Sequence, residues 1–421
     1  MATPAVEMKE ISALRKRWLR YPRYKDSGVE WLGEVPEEWD LKKLKYAFFL
    51  QRGHDLSNDD FIEGEYPVMG SNGIIGYHNC YTTQGPSITV GRSGSVGEVN
   101  YVQQNFWAHN TALYVVYFYS NLPRYVYYIL KLIDLKNLSF GTAVGTLNRN
   151  NIHTSTIAIP PLPEQHAIAA FLDRETARID ALIAKKEWQI ELLQEKRAAL
   201  ISHTVTKGLD PNAKMKDSGV EWLGEVPEHW EIKRIKYVSP RINEKTEEET
   251  DLPYIGLENI ESWTGKLIPN EENYEAEGQS NKFQKGDVLF NKLRPYLAKV
   301  LVATEIGRCT SELLVLRPKM VTQYYLFYFL LSKDFVNTVD SSTYGAKMPR
   351  ANWNFIGDLL SPLPPAHEQE AIATFLNIEA AKIDGLINKI NNSIGKVNEY
   401  RAALISAAVT GKIDVRQEIL A

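Results

Sequence analysis

Residues 25–46 read KDSGVEWLGEVPEEWDLKKLKY, and residues 216–237 read KDSGVEWLGEVPEHWEIKRIKY. Seventeen of these 22 positions are identical at an offset of 191. A second matched pair begins at Glu164 (EQHAIAAFLDRETARIDALIAKKEWQ) and at Glu368 (EQEAIATFLNIEAAKIDGLINKINNS). Its offset is 204, without a gap from Pro160/Pro364 to Asp210/Asp414, so the second copy gains 13 residues inside. Asn148/Asn352, Asn150/Asn354 and Ile152/Ile356 already stand at the larger offset. A period near 200 residues is a domain duplication and not a solenoid. The copies share a frame and a closing helix but differ almost completely between them. Two recognition modules for different targets, held on one scaffold, would have this pattern.

The closing segments carry apolar residues at helical spacing: Leu172, Ile179, Leu193 and Leu200 in one, and Leu376, Ile383, Ile390, Val397 and Leu404 in the other, with Ile183 and Ile387 beside them. That is a seam for one long helix on another. Pro163-Glu164 suits a helix start, and Gly208 and Gly411 suit ends. About 40 residues make a rod of roughly 60 Å whose apolar stripe needs a partner. The other copy is the nearest one, and a helix folded back on its own domain is the alternative. The expected fold is therefore α+β: two pseudo-twofold-related α/β target-recognition domains, separated by a pair of long antiparallel coiled-coil helices. Residues 1–24 form an N-terminal segment, helical in pattern from Met8 to Arg20.

Inside the bodies, Ser87–Gly91 and Gly97–Tyr101 flank a hairpin tip, as do Asp287–Phe290 and Ala298–Val302. Aromatic helices follow at Arg124–Leu130 and Tyr324–Leu331, then polar segments around Asn148 and Asn352. The loops hold residues suited to phosphates and base edges: Arg92, Ser93, Ser95, Asn148, Arg149 and Asn150, then Lys292, Arg294, Tyr296, Lys347, Arg350 and Asn352. For the asparagines, turn chemistry competes with that role. The strips Lys42-Lys43-Leu44-Lys45 and Lys233-Arg234-Ile235-Lys236 suit phosphate, or simply the outer face of a strand. Trp31, Trp39, Trp222 and Trp230, shared by otherwise divergent copies, suit frame packing.

Of the 421 residues, 44 % are hydrophobic and 24 % charged, with a formal charge of -4. That excludes a histone-like basic chain but leaves room for a local basic groove. Two cysteines, Cys80 and Cys309, exclude a disulfide framework and a four-cysteine zinc site. The longest apolar run, Tyr324–Leu331, is too short for a bilayer span, and the N-terminus has no signal pattern, so a cytoplasmic location without membrane contact is expected. There is no GxxxxGK[ST] phosphate loop and no HExxH, and Gly91–Gly97 lacks the spacing of a dinucleotide site. Ile159-Pro-Pro-Leu162 and Leu363-Pro-Pro-Ala366 do not fit the polar-Pro-Pro-aromatic tetrapeptide of amino-methyltransferases. The chain reads as a binding module and not an enzyme. A methyltransferase acting alone and a scaffold without a DNA role are the alternatives.

DSGVEWLGEVPEEW, then IPPLPEQHAIAAFLD and a long helix closing in KRAALISHTVTKGLD, resembles the specificity subunit of type I restriction–modification systems. The second half keeps the pattern in LPPAHEQEAIATFLN and YRAALISAAVTGKID, departing at Ala366-His367 while keeping Glu368-Gln369. The resemblance implies that residues 25–160 and 216–365 are the recognition domains and 161–209 and 366–413 the central and distal spacer helices. It implies that each domain reads one half of a bipartite, asymmetric duplex DNA target. It implies that the helix pair sets the gap and docks two modification subunits, with Leu172, Ile179, Ile183, Leu376, Ile383 and Ile387 marking the docking helices. Those partners would bind S-adenosylmethionine and methylate adenine flipped from the stack. Restriction subunits would add a translocase and nuclease using ATP and magnesium, and this chain would hold no cofactor or metal itself.

Overall fold

The computed structural model describes residues 18–140, 145–246, 252–268, 280–345 and 347–419. Most of the expected N-terminal helical segment, through residue 17, lies outside them. Two compact units emerge. One joins the chain up to Lys186 to the segment from Asn392 onward, and the other runs from Glu187 to Asn391.

In the first unit, the frame leads into strand β1 (Asp40–Lys43), a single helical turn α1 (Leu44–Ala47) and strand β2 (Phe49–Arg52). Strands β3 (Ser87–Gly91), β4 (Val99–Val102) and β5 (Ala112–Tyr117) complete an antiparallel sheet of order β2-β5-β3-β4. Strand β3 is buried along its whole length, so Ile88 and Val90 enter the core while the Ser87 hydroxyl donates to the Val115 carbonyl. Helix α2 (Pro123–Leu132) starts on a proline, whose missing N–H costs nothing there, and buries Tyr125, Val126, Tyr128 and Ile129. A short helix α3 (Arg149–His153) then leads to strand β6 (Thr156–Ile159), which pairs with β1 and closes the body on its frame. An accessory sheet joins Tyr66–Gly70, Gly73–His78 and Trp107–Ala108.

Helix α4 (Leu162–Lys207) follows, and the second unit repeats the plan. Strands β7 (Glu231–Arg234), β8 (Arg241–Ile242), β9 (Val288–Asn291), β10 (Val300–Val302), β11 (Leu313–Leu316) and β12 (Leu360–Leu363) form the sheet β8-β11-β9-β10 and the pair β7–β12. Between them lie the turn α5 (Ile235–Val238), helices α6 (Gln323–Leu331) and α7 (Lys333–Ser341), and the short α8 (Trp353–Asp358). Helix α9 (Ala366–Val409) ends the repeat. Both hairpins and both aromatic helices stand where their patterns place them.

Each unit takes one half of each long helix, and within each the two halves run antiparallel. In the first, Ile168, Leu172 and Ile179 share a core with Leu404, Ala408 and Val409, and Asp180 pairs with Arg401. In the second, Ile201 and Val205 share a core with Ile372 and Leu376, and Arg197 lies 3.4 Å from Asp384. Gly208 (φ 77°) and Gly411 (φ 69°) follow the helix ends in the left-handed region open to glycine.

The motif residues explain themselves as joints. Trp39 Nε1 donates to Glu164 at 3.1 Å, and Trp230 Nε1 donates to Glu368 at 2.9 Å. Gln165 accepts from the Leu122 N–H at the start of α2, and Gln369 accepts from the Thr322 N–H before α6. Tyr125 donates to the Val409 carbonyl, and Tyr325 donates to that of Val205. Lys412 and Lys207 each donate to the carbonyl of a matching frame residue, Glu34 and Glu225. Trp39 and Trp230 are fully buried and Trp222 packs on the second core. Trp31 departs from the frame-packing expectation: it is 45 % exposed while Leu32 fills the core, whereas Trp222, before the equivalent turn at Gly224, has Phe329 and Phe335 beside its ring.

Candidate nucleic-acid interface

The hairpin tip and the polar segment, far apart in sequence, meet in both units. In the first, the Arg92 N–H donates to the Thr111 carbonyl at 2.9 Å, and the Arg92 carbonyl accepts from the Leu147 N–H at 2.9 Å. Ser93 bridges to Thr146. In the second, the Lys292 N–H donates to the Glu312 carbonyl at 3.0 Å, and its carbonyl accepts from the Ala351 N–H at 2.9 Å. Leu293 bridges to Arg350. Each tip is thus pinned to the residue that leads into the strand behind it, β5 or β11, and to the residue before the N-cap of a short helix, α3 or α8.

The two tips reach that shape by different chemistry. In the first, the chain folds back over Gly91, where a Cβ would sit 2.0 Å from the Ser95 carbonyl, and Gly94 and Gly97 supply the positive φ angles. In the second, non-glycine residues bear the strain. Arg294 (φ 52°) and Ala298 (φ 44°) flank the 3-10 turn Pro295–Leu297. Asn291, fully buried at the position matching Gly91, holds them. Its amide donates to the carbonyls of Leu293 (2.9 Å) and Arg294 (3.0 Å), and its oxygen accepts from the Lys299 N–H (2.8 Å). Strained non-glycine backbone of this kind persists only where the surroundings over-determine it.

Of the candidate residues, Arg92, Ser93 and Ser95 are half-buried on the first tip, and Arg92 reaches the Asn110 carbonyl at 3.4 Å. Asn148 and Asn352 cap α3 and α8, accepting from the N–H groups of Asn150 (3.0 Å) and Asn354 (2.9 Å). Their side-chain oxygens are thereby engaged, as turn chemistry requires. Asn150 is exposed, and Arg149 lies 5.4 Å from the Phe49 ring centre. In the second unit Lys292 and Arg294 are half-buried, while Tyr296 and Lys347 are exposed. Arg350 is held by Glu312, its Nε 3.3 Å from both carboxylate oxygens. Arg294 Nε finds no hydrogen-bond partner among the described residues.

Three features escaped the sequence reading. A cavity of about 390 Å³ beside the first tip is lined by Asn72, Lys136 and Ser139 as well as Gly94 and Ser95. The clamp Asn291 has one sequence signal, an asparagine where its counterpart has glycine. Glu312 has none. Of the six apolar positions marking the docking helices, Leu172, Ile179, Leu376 and Ile383 are buried, and Ile183 and Ile387 half-buried. Leu172 and Ile179 belong to the first core, with Ile183 packed against it, and Leu376 belongs to the second.

No group of three or more metal-ligating side chains occurs among the described residues. No described helix is long and apolar enough to cross a membrane. Cys80 is exposed and Cys309 buried, and burial pushes the Cys309 thiol up to about 12.

The model of the type I restriction modification DNA specificity domain matches twice, over residues 36–192 and 227–396. The chain belongs to that family. The specificity chain is 22 % identical to the Escherichia coli type I restriction enzyme EcoDI specificity subunit, over 90 % of each chain. It is 25 % identical to the MjaVIII specificity subunit of Methanocaldococcus jannaschii, over 91 % of this chain and 94 % of the other. It also shares the fold of a chain solved in work on complex assembly and conformational transition of the type I R-M system. That match has a TM-score of 0.65 and 14 % identity, covering 89 % of this chain and 98 % of the other.

Proposed function

We propose that each unit of this specificity chain reads one half of a bipartite, asymmetric duplex DNA target. The observation that carries this is the pinned tip: one construction at the same place in both units, bearing Arg92 and the Ser93–Ser95 turn in one and Lys292, Arg294 and Tyr296 in the other. Matched placement with different chemistry is what two different half-sites demand. The recognition domains are residues 25–160 and 216–365, and the helices of 161–209 and 366–413 set the unread gap. Modification subunits carrying S-adenosylmethionine dock on the outward faces of those helices, since the seam is filled. Restriction subunits using ATP and magnesium join them in the cytoplasm. The chain contributes recognition and no catalysis.

An adenine-methylation map of the host genome, with and without the gene, tests this. Loss of a single bipartite methylated motif is expected. Exchange of residues 47–140 for a related body should then alter one half of that motif. Alteration of both halves would refute independent reading.

A further inference from the structure

The frames carry a surface that packing does not explain. After β1, Lys45 sits 4.7 Å above the ring of Tyr46, which is 61 % exposed. After β7, Lys236 sits 5.4 Å from the ring of Tyr237, which is 60 % exposed. Lys42 and Lys43 precede the first pair, and Lys233 and Arg234 the second. A lysine row on a short exposed strand serves to block edge pairing. That accounts for the lysines of β1 and β7 but not for a large exposed aromatic at the same place in both units.

The strip is continuous with the tip. Leu147 is bonded to Arg92, and the next two residues, Asn148 and Arg149, open α3. Buried Ile152 of α3 shares the core with Leu44 and Ala47 of α1, and the Leu44 N–H donates to the Ser155 carbonyl at 2.8 Å. In the second unit Ala351 is bonded to Lys292, Asn352 opens α8, and the Ile235 N–H donates to the Leu359 carbonyl at 2.9 Å. At the end of α8, Asp358 lies 2.6 Å from Lys236 and 3.5 Å from Arg234.

We infer that Lys42, Lys43, Lys45 and Tyr46, and their counterparts Lys233, Arg234, Lys236 and Tyr237, grip the phosphodiester backbone of the duplex beside each half-site. This rests on the tips being base readers. A tip that differs between units reads bases, while a strip that is the same in both meets what every duplex shares, its phosphates. The charges favour a polyanion over a protein surface. In the first unit Lys42 pairs with Asp40 at 3.2 Å, and among the described residues Lys43, Lys45 and Arg149 have no carboxylate within 4 Å. In the second, Glu231 (2.7 Å from Lys233) and Asp358 already neutralise part of the strip. The first strip therefore binds phosphate more strongly.

The test uses the complex purified from its host through a tag on this chain, with a duplex carrying the methylated motif and a scrambled duplex, over a series of salt concentrations. For Lys42→Gln/Lys43→Gln/Lys45→Gln, the slope of log K against log salt should become shallower by about two to three, at roughly 0.9 per phosphate contact. Affinity should fall by the same factor on both duplexes, leaving the cognate preference intact. Lys233→Gln/Arg234→Gln/Lys236→Gln should shift the slope less. An unchanged slope in the first variant overturns the inference. So does loss of copurifying subunits with normal DNA binding by the remaining complex, which would make the strip a protein-docking surface. Absence of any cognate preference in the unaltered complex would instead refute base reading by the tips, whatever the slopes.

Discussion

Replacing Asn291 by alanine removes a buried clamp from the second tip and nothing else. Three hydrogen bonds disappear: two donated to the Leu293 and Arg294 carbonyls and one accepted from the Lys299 N–H. Each contributes about 1 kcal/mol net, and the backbone groups left inside without partners add to the loss, so Asn291→Ala should destabilise the second unit by about 2–4 kcal/mol. Arg294 and Ala298 lose the contacts that hold them at positive φ, so the tip should relax and its half-site preference should fade. The half-site read by the first unit should survive, because Gly91, Gly94 and Gly97 shape that tip without a clamp. Arg294→Gly separates the two effects: it relieves about 1 kcal/mol of left-handed strain while removing the side chain. It should therefore stabilise the unit and still degrade recognition of the same half-site. Urea unfolding and methylation mapping of both variants read these outcomes. Wild-type stability of Asn291→Ala within about 0.5 kcal/mol would refute the clamp. Loss of the other half-site would refute the assignment of this tip.

Glu164→Ala should cost about 2–4 kcal/mol, since it strands the Trp39 indole and the Tyr21 hydroxyl inside, and Glu164→Gln less, because an acceptor remains; urea midpoints compare the two. Burial, then Arg149 and Lys45, hold the His153 ring below its ordinary 6.5, and its Nε2 accepts from the Leu50 N–H at 3.0 Å. The unfolded chain therefore takes up this proton first, and stability present above about pH 6.5 is lost as pH falls through the lower folded value. His153→Gln should flatten the drop in unfolding midpoint between pH 7.5 and 5.5. Adding one turn of about four residues after Ile183, with a matching turn in α9, lengthens the pair by roughly 6 Å, or about two base pairs. The unread gap in the methylated motif should widen while both half-sites persist.

The frame and helices were legible because their signals are local or repeated: Trp39 and Trp230 stand at one offset, and Leu172 to Leu200 keep one helical stripe. The tips were legible as hairpins for the same reason. What escaped depends on partners distant in sequence. Glu164 is a joint only because Trp39 stands 125 residues away, and nothing around Glu312 announces that it will hold Arg350. Exposure was equally hidden. Trp31 and Trp39 look alike as letters in a shared motif, yet only one fills the core.

The division of the long helices between units bears on the order in which a ribosome can finish them. The second unit, from Glu187 to Asn391, is one uninterrupted stretch, whereas the first needs the segment from Asn392 onward. Tyr125 waits for the Val409 carbonyl, 284 residues downstream. At about 5–20 residues per second, that is a delay of roughly fifteen to sixty seconds. During it, Leu172 and Ile179 lack the stripe of α9 that covers them. The portion translated first is thus completed last, and its unfinished seam is the surface a chaperone would meet on the nascent chain.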